Sequence, residues 1–304
     1  MATIKTLGKS ITDTYLDTSE KFLQNFFNEP ESQKTQDIIK LLKKKNLPWP
    51  IKYHISPQRH TLLNWYQFEK DSSLLEIGAE CGAVTGVFIN KLTTVACNEL
   101  SPSRAKVIHN RFQDSKNLTI FVGDINLLKN IEKYDYVTLI GVLEYSGKYS
   151  SNLQPYLELL KSAKNLLKDG GHLLLAIENK LGLKYFAGAP EDHTGEVFDS
   201  LEGYPQNKDI RTFSKLELTA LLNSCGFNKT EFYYPFPDYK MPHIVFSEAG
   251  IQELHNHSKS NVLNTLDHST DLDLFFNEIP LGNSLHDEGI ISHFSNSFLI
   301  DAYA

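Results

Sequence analysis

Two kinds of hydrophobic pattern follow one another along the chain. Residues 14–27, TYLDTSEKFLQNFF, place apolar side chains at Leu16, Phe22, Leu23, Phe26 and Phe27, a helical spacing with one face to bury. Residues 35–46 repeat it with Ile38, Ile39, Leu41 and Leu42. Lys43, Lys44 and Lys45 then sit at the negative end of the helix dipole before LPWP (47–50) stops it. The pattern predicts an N-terminal helical cap over 1–48, its lysines either solvated or turned to an anionic surface.

From residue 73 short apolar runs alternate with helical stretches. Strands are predicted at 74–78, 93–99, 118–124, 134–142 and 172–179, the last an unbroken apolar run suited to burial on both faces. A sixth strand is expected at 229–236 and a seventh at either 243–247 or 296–303, with the later run preferred. This alternation predicts an α/β fold, a Rossmann-like, seven-stranded, mostly parallel doubly wound sheet. It would occupy 49–304, with a long loop insertion near 182–212 and an irregular segment near 237–294. Tyr185, Phe186, Phe198 and Tyr204 in the insertion favour an ordered lid. Ser214 is the expected cap of the helix that follows.

Composition narrows the setting. With 41% hydrophobic and 22% charged residues among 304, the chain reads as soluble with a sizeable core. A net charge of -7 argues against a nucleic-acid partner. Cys81, Cys97 and Cys225 form no CxxC or zinc spacing, which points to a reducing cytoplasm. No apolar signal region follows Met1, and the apolar runs are too short for a transmembrane segment. An end at Ala304, just past a strand, leaves open a longer protein.

In a doubly wound sheet ligands bind at the carboxyl ends of the strands, which selects Glu76 to Gly82, Glu99, Asp124, Gly141 to Tyr145, and Glu178 onward. The turn 76-EIGAECG-82 carries two acids and no Lys or Arg, which suits a cationic ligand better than a polyphosphate. Gly78 and Gly82 would admit close backbone approach. Glu99 lies 17 positions after Gly82, near the offset of about 20 at which an acid meets ribose hydroxyls. A nicotinamide-dependent oxidoreductase would show GxGxxG, whereas this turn is GxxxG.

The turn resembles the first motif of class I S-adenosylmethionine-dependent methyltransferases, although Glu80 stands where glycine is common. The resemblance implies S-adenosylmethionine as cofactor, held by Glu76, Gly78, Gly82, Glu99, Asp124 and Ile125, with Tyr53 and Arg59 closing over it. The stretches 53-YHISPQRHTLL-63, IGVLEYSGKY, IENKLGLKYFAGAPEDHTG, 232-FYYPFPDYKMP-242 and 293-HFSNSFLI-300 resemble a narrower group. These are bacterial methyltransferases of surface-glycan and lipopolysaccharide synthesis, often fused to glycosyltransferases. The narrower resemblance implies methylation of a hydroxyl on a sugar or glycan intermediate. It also implies a fused or associated glycosyltransferase and a cytoplasmic site, with peripheral attachment to the inner membrane left open. The segment 141-GVLEYSGKY-149 lacks the Asn/Asp-Pro-Pro-aromatic motif of base methylation.

Methyl transfer to an alcohol needs in-line alignment and a base. His193, oriented by Asp192 or Glu191, is the preferred base because an unperturbed imidazole titrates near neutrality. Glu144 and Glu178 serve as base or bind sugar hydroxyls. Tyr145, Asn179, Asp192, Tyr234, Asp238 and Lys240 are the expected acceptor contacts, while Tyr185 either stacks on a ring or packs in the core. No carboxylate or histidine pair has decisive ligand spacing, so the sequence names no metal ligand and leaves metal dependence open. A noncatalytic module docking a glycosyltransferase is the reading from a different class.

Overall fold

A computed structural model of the chain describes residues 1–8, 18–28, 35–128, 131–150, 152–207, 209–253 and 274–304. Leu16 of the expected first helix face lies outside the described residues, as does 254–273 of the irregular segment. The strands are β1 (Thr3–Thr6), β2 (Ser73–Ile77), β3 (Thr94–Glu99), β4 (Leu118–Val122), β5 (Tyr134–Ile140), β6 (Leu167–Glu178), β7 (Lys229–Phe236), β8 (Ile244–Ser247) and β9 (Ser297–Tyr303). Their order is β1-β4-β3-β2-β5-β6-β9-β7-β8, a Rossmann-like arrangement with an antiparallel end.

Among the described residues, nine strands of mixed orientation replace the seven expected. Both alternatives for the last strand are realised, as β8 and β9. The additional one, β1, falls in the segment read as wholly helical. It is four residues long and exposed throughout, so it lacks the alternation that betrays a half-buried strand; its pairing with β4, from Thr3↔Thr119 to Thr6↔Val122, makes it one.

The chain divides into two compact units, Met1–Thr138 with Leu166–Gly171, and Leu139–Asn165 with His172–Ala304, the boundary falling inside β5 and β6. In the first, β1, β4, β3 and β2 pair in parallel, with Glu76 opposite Cys97 and Glu99 opposite Val122. Its helices are α1 (Thr18–Asn28), α2 (Thr35–Leu42), α3 (Trp49–Ile55), α4 (Thr85–Lys91) and α5 (Pro102–Arg111). Ser101 caps α5 by accepting the Arg104 N–H at 3.2 Å, and Pro102 fills a first-turn position whose N–H would go unused.

The N-terminal helices act on the turn after β2. Leu23, Phe27, Leu41, Ile51 and Ile55 form one buried cluster with Cys81 of that turn and Val107 of α5. Phe22 and Ile39, expected on the buried faces, are instead 36% and 39% exposed, since they flank the stripe.

The second unit contains α6 (Ser146–Tyr149), α7 (Pro155–Asn165), α8 (Leu183–Phe186), α9 (Lys215–Ser224), α10 (Glu248–Gln252) and α11 (Glu278–Asp287). Here β6, β9, β7 and β8 pair antiparallel, with Glu178 opposite Ser297 and Phe232 opposite Ile300. The described residues of the insertion near 182–212 are ordered: α8 opens it, Pro190 bridges Val197, and a bridge between Asn179 and Phe213 ties its ends. Ser214 and Glu217 form a capping box on α9. Among the described residues no helix is long and apolar enough to cross a membrane.

Candidate active-site clusters

Each unit carries its own cluster of buried charge. In the first, Gly78, Glu80 and Gly82 all have positive φ, at 70°, 50° and 74°. Glycine takes that conformation freely; Glu80 needs support, and has it. Its N–H donates to Glu99 Oε2 at 2.8 Å, and its carboxylate lies 3.2 Å from the Arg59 guanidinium. Arg59 is 2% exposed and stacks on the Tyr53 ring, 3.7 Å from its centroid. Its charge is thereby committed to Glu80. Burial would raise the Glu80 carboxyl, but neighbouring His54 and then Arg59 hold it below the usual range.

Gly82 is required by packing: a Cβ there would meet a Phe112 ring carbon at 2.9 Å. Glu99 also accepts the Ser101 N–H at 2.9 Å, so each carboxylate oxygen holds one backbone donor and keeps acceptor capacity. Glu76 turns inward, accepting from the Thr85 hydroxyl at 2.5 Å and facing the Cys97 thiol at 3.6 Å. Burial pushes both Glu76 and Glu99 up to about 7. Asp124 accepts the Asn126 N–H at 2.8 Å and caps the short turn that begins at Ile125. Glu76, Glu99 and Asp124 thus close adjacent parallel strands, with Glu76 spending its contacts on Thr85 and Cys97.

Sequence reasoning passed over Glu20 and Arg104, whose carboxylate and guanidinium pair at 2.5 Å across 84 residues. No local pattern links positions so far apart.

In the second unit folding gathers Glu144, Glu178 and His193, whose candidate ligand atoms all lie within 4.8 Å of one another. Glu191, rather than Asp192, orients the histidine. Glu191 Oε2 accepts the backbone N–H groups of His193 at 2.7 Å and Thr194 at 2.8 Å, while Oε1 lies 2.9 Å from His193 Nδ1. The Tyr204 hydroxyl donates to the same Oε1 at 3.2 Å. A carboxylate so surrounded by donors is ionised, which places the ring proton on Nδ1. Nε2 then faces Glu144 Oε1 and Glu178 Oε2, each at 3.8 Å, beyond hydrogen-bond reach.

Burial alone would lower the His193 pKa, but Glu178, Glu144 and Glu191 raise it well above its ordinary value. The neutral imidazole expected from an unperturbed pKa is therefore corrected by its three carboxylate neighbours. Burial pushes Glu144 up to about 7. Lys240 lies 2.7 Å from Glu178 and 2.9 Å from Asp192, dividing its charge between them. Asp192 also holds Lys184 and the Tyr185 hydroxyl; burial would raise its carboxyl, yet Lys184 and Lys240 hold it well below the carboxylate range.

The other expected acceptor contacts divide. Tyr145 sets its ring edge-on to His193, centroids 5.2 Å apart. Asp238 is 7% exposed, accepting the N–H groups of Lys240 and Met241 to fix a turn. Asn179 is fully buried: its amide donates to the carbonyls of His293 and Ser295 and its oxygen accepts the Leu181 N–H. Tyr234 is also at 0% exposure, its hydroxyl engaged with Lys215 and Glu248. Tyr185, at 0%, is core. Asn179 and Tyr234 thus present no surface to an acceptor, because both serve the strand packing around them.

Residues 75–173, a third of the chain from β2 into β6, match the family model of a methyltransferase domain. Among curated proteins none matches. The chain is similar at 21% identity to an S-adenosylmethionine-dependent methyltransferase from Clostridium acetobutylicum (TM-score 0.33), over 39% of this chain and 48% of that one, about half its length. A possible histamine N-methyltransferase from Thermotoga maritima is similar at 13% identity and TM-score 0.46, covering 92% of this chain and 99% of that one. A putative methyltransferase in complex with the Haloferax volcanii activator Trm112 shows 13% identity and TM-score 0.49, over 83% and 90%.

Proposed function

Because residues 75–173 match a methyltransferase-domain model, we propose that the protein transfers a methyl group from S-adenosylmethionine to a hydroxyl of a bacterial surface sugar or glycan intermediate. The observation that carries the cofactor reading is Glu99. It is buried at the end of β3 and anchored by two backbone N–H groups, and it keeps lone pairs for ribose hydroxyls beside a turn where Arg59 is paired with Glu80 and Arg111 donates to the carbonyls of His54 and Cys81. Such a site favours a sulfonium cation over a polyphosphate. Asp124 and Ile125 lie where the adenine would be met, and Gly78 to Gly82 where the methionine portion would approach. Tyr53 and Arg59 cover the turn.

The cofactor supplies an electrophilic methyl. The protein's part is to align an acceptor oxygen, exclude water and take the proton released as the new C–O bond forms. Glu144 and Glu178 are the groups for that proton, with the His193 imidazolium held beside them by Glu191, and with Tyr145 and Lys240 alongside. The sugar class rests on the sequence resemblance, which covers both the strand-end residues and the 182–195 segment that supplies His193. Titration calorimetry with S-adenosylmethionine and S-adenosylhomocysteine tests the cofactor. Heat of binding is expected with both, and none would refute the reading in favour of a docking module. Incubation with radiolabelled cofactor and sugar-nucleotide or glycan acceptors then tests the acceptor class by label transfer.

A further inference from the structure

We infer that Glu144, Glu178 and His193 form a site for one divalent first-row transition-metal ion, of which Mn²⁺ is the type. The inference deepens the reading of the same cluster but does not depend on methyl transfer. The first ground is the ring. Nδ1–H is spent on Glu191, so Nε2 is the nitrogen turned toward Glu144 and Glu178, and a carboxylate behind a ligating imidazole is the usual support of a metal-bound histidine.

The second ground is spacing. Nε2 stands 3.8 Å from one oxygen of each glutamate, too far for hydrogen bonds. Donors bound at about 2.1 Å to one ion lie about 3–3.5 Å apart, so small side-chain shifts close the set. The third is unmet demand. Glu144 and Glu178 side chains are 1% exposed, and the Oε2 atom of each is buried with no hydrogen-bond partner. Buried acceptors in that state are costly, and a cation relieves both together.

Charge points the same way. Three carboxylates, Glu144, Glu178 and Glu191, surround the ring, against which stand the ring's own proton, which an ion bound at Nε2 would replace, and Lys240, which Asp192 shares. One imidazole with two carboxylates suits Mn²⁺ and its neighbours better than Mg²⁺ or Ca²⁺, which favour all-oxygen shells. Three protein ligands leave positions open, the pattern of sites where an ion receives a substrate oxygen.

The test is titration of the full chain with Mn²⁺, followed by electron paramagnetic resonance and by calorimetry, without cofactor or acceptor. The cofactor reading is thus judged by S-adenosylmethionine binding and this one by Mn²⁺ alone. One saturable equivalent is expected. Glu144→Gln and Glu178→Gln should each weaken it at least a hundredfold, and Glu191→Gln about 10–100-fold, as loss of a supporting carboxylate does. Lys240→Met, which removes the competing ammonium, should tighten binding. No saturable binding by the wild type would overturn the proposal. So would equal affinity in a folded Glu144→Gln variant; should that variant fail to fold, unchanged or weaker affinity in Lys240→Met overturns it instead.

Discussion

Glu99 Oε2 accepts the backbone N–H of Glu80 at 2.8 Å, so the acid that closes β3 holds the turn that follows β2. One carboxylate therefore fixes a left-handed residue and faces the proposed ribose position. Replacing Glu99 by Ala should raise the Kd for S-adenosylmethionine at least tenfold. It should also cost about 1–3 kcal/mol of stability, because the N–H groups of Glu80 and Ser101 lose their acceptor. Calorimetry and urea denaturation read the two effects separately, and unchanged affinity would refute the ribose assignment.

The same turn is intolerant at Gly82. With φ at 74° and a Phe112 ring carbon 2.9 Å from where an added Cβ would stand, Gly82→Ala should destabilise the chain by about 1–3 kcal/mol. Shrinking the neighbour in a Phe112→Leu background should recover part of that loss. A Gly82→Ala protein as stable as wild type in urea would show that the glycine is not required by packing.

Burial raises Glu76 and Glu99 to about 7, which gives stability a definite pH dependence. Between the ordinary carboxylate range and pH 7 the folded chain binds more protons than the unfolded one, so these groups stabilise fully at low pH and lose that contribution as pH rises through about 7. The urea midpoint should fall between pH 5 and pH 8, and Glu76→Gln should flatten the curve. Cofactor affinity should move oppositely, since a sulfonium favours the ionised acids. S-Adenosylmethionine should gain more than S-adenosylhomocysteine across that interval, and equal gains would count against the charge argument.

His193 gives a prediction in the second unit. His193→Ala should lower turnover by about 10²–10⁴-fold, the range for loss of an acid–base group, while leaving the Kd for S-adenosylmethionine within twofold. Glu191→Gln, which keeps the imidazole but loosens its hold on Nδ1, should fall between the two. Wild-type turnover in His193→Ala would remove the residue from the chemistry.

What could be read from the sequence was what neighbouring residues decide. The parallel strands, the glycine turn and the acids at their ends are local, and β2, β3 and β4 begin within one residue of expectation. The capping box at Ser214 is likewise a pattern four residues long. Pairing partners were not legible: β1 has no hydrophobic signature, and both candidate last strands entered the sheet because each found a neighbour in β7. Asn179 and Tyr234 looked like acceptor contacts by position, but the carbonyls of His293 and Ser295, and Lys215 with Glu248, claim them from distant segments. The choice of Glu191 over Asp192 turned on Lys184 and Lys240 competing for the latter. For the same reason the grouping of Glu144, Glu178 and His193 emerges only in three dimensions.

β9 lies between β6 and β7 yet follows both in sequence. On the ribosome β6 and β7 emerge before β9, so that one edge of each lacks the strand that will pair with it. Until residues 297–303 emerge, the facing edges of β6 and β7 are open to any other strand that can pair with them. The last strand to be made is thus the one whose first residue, Ser297, stands opposite Glu178.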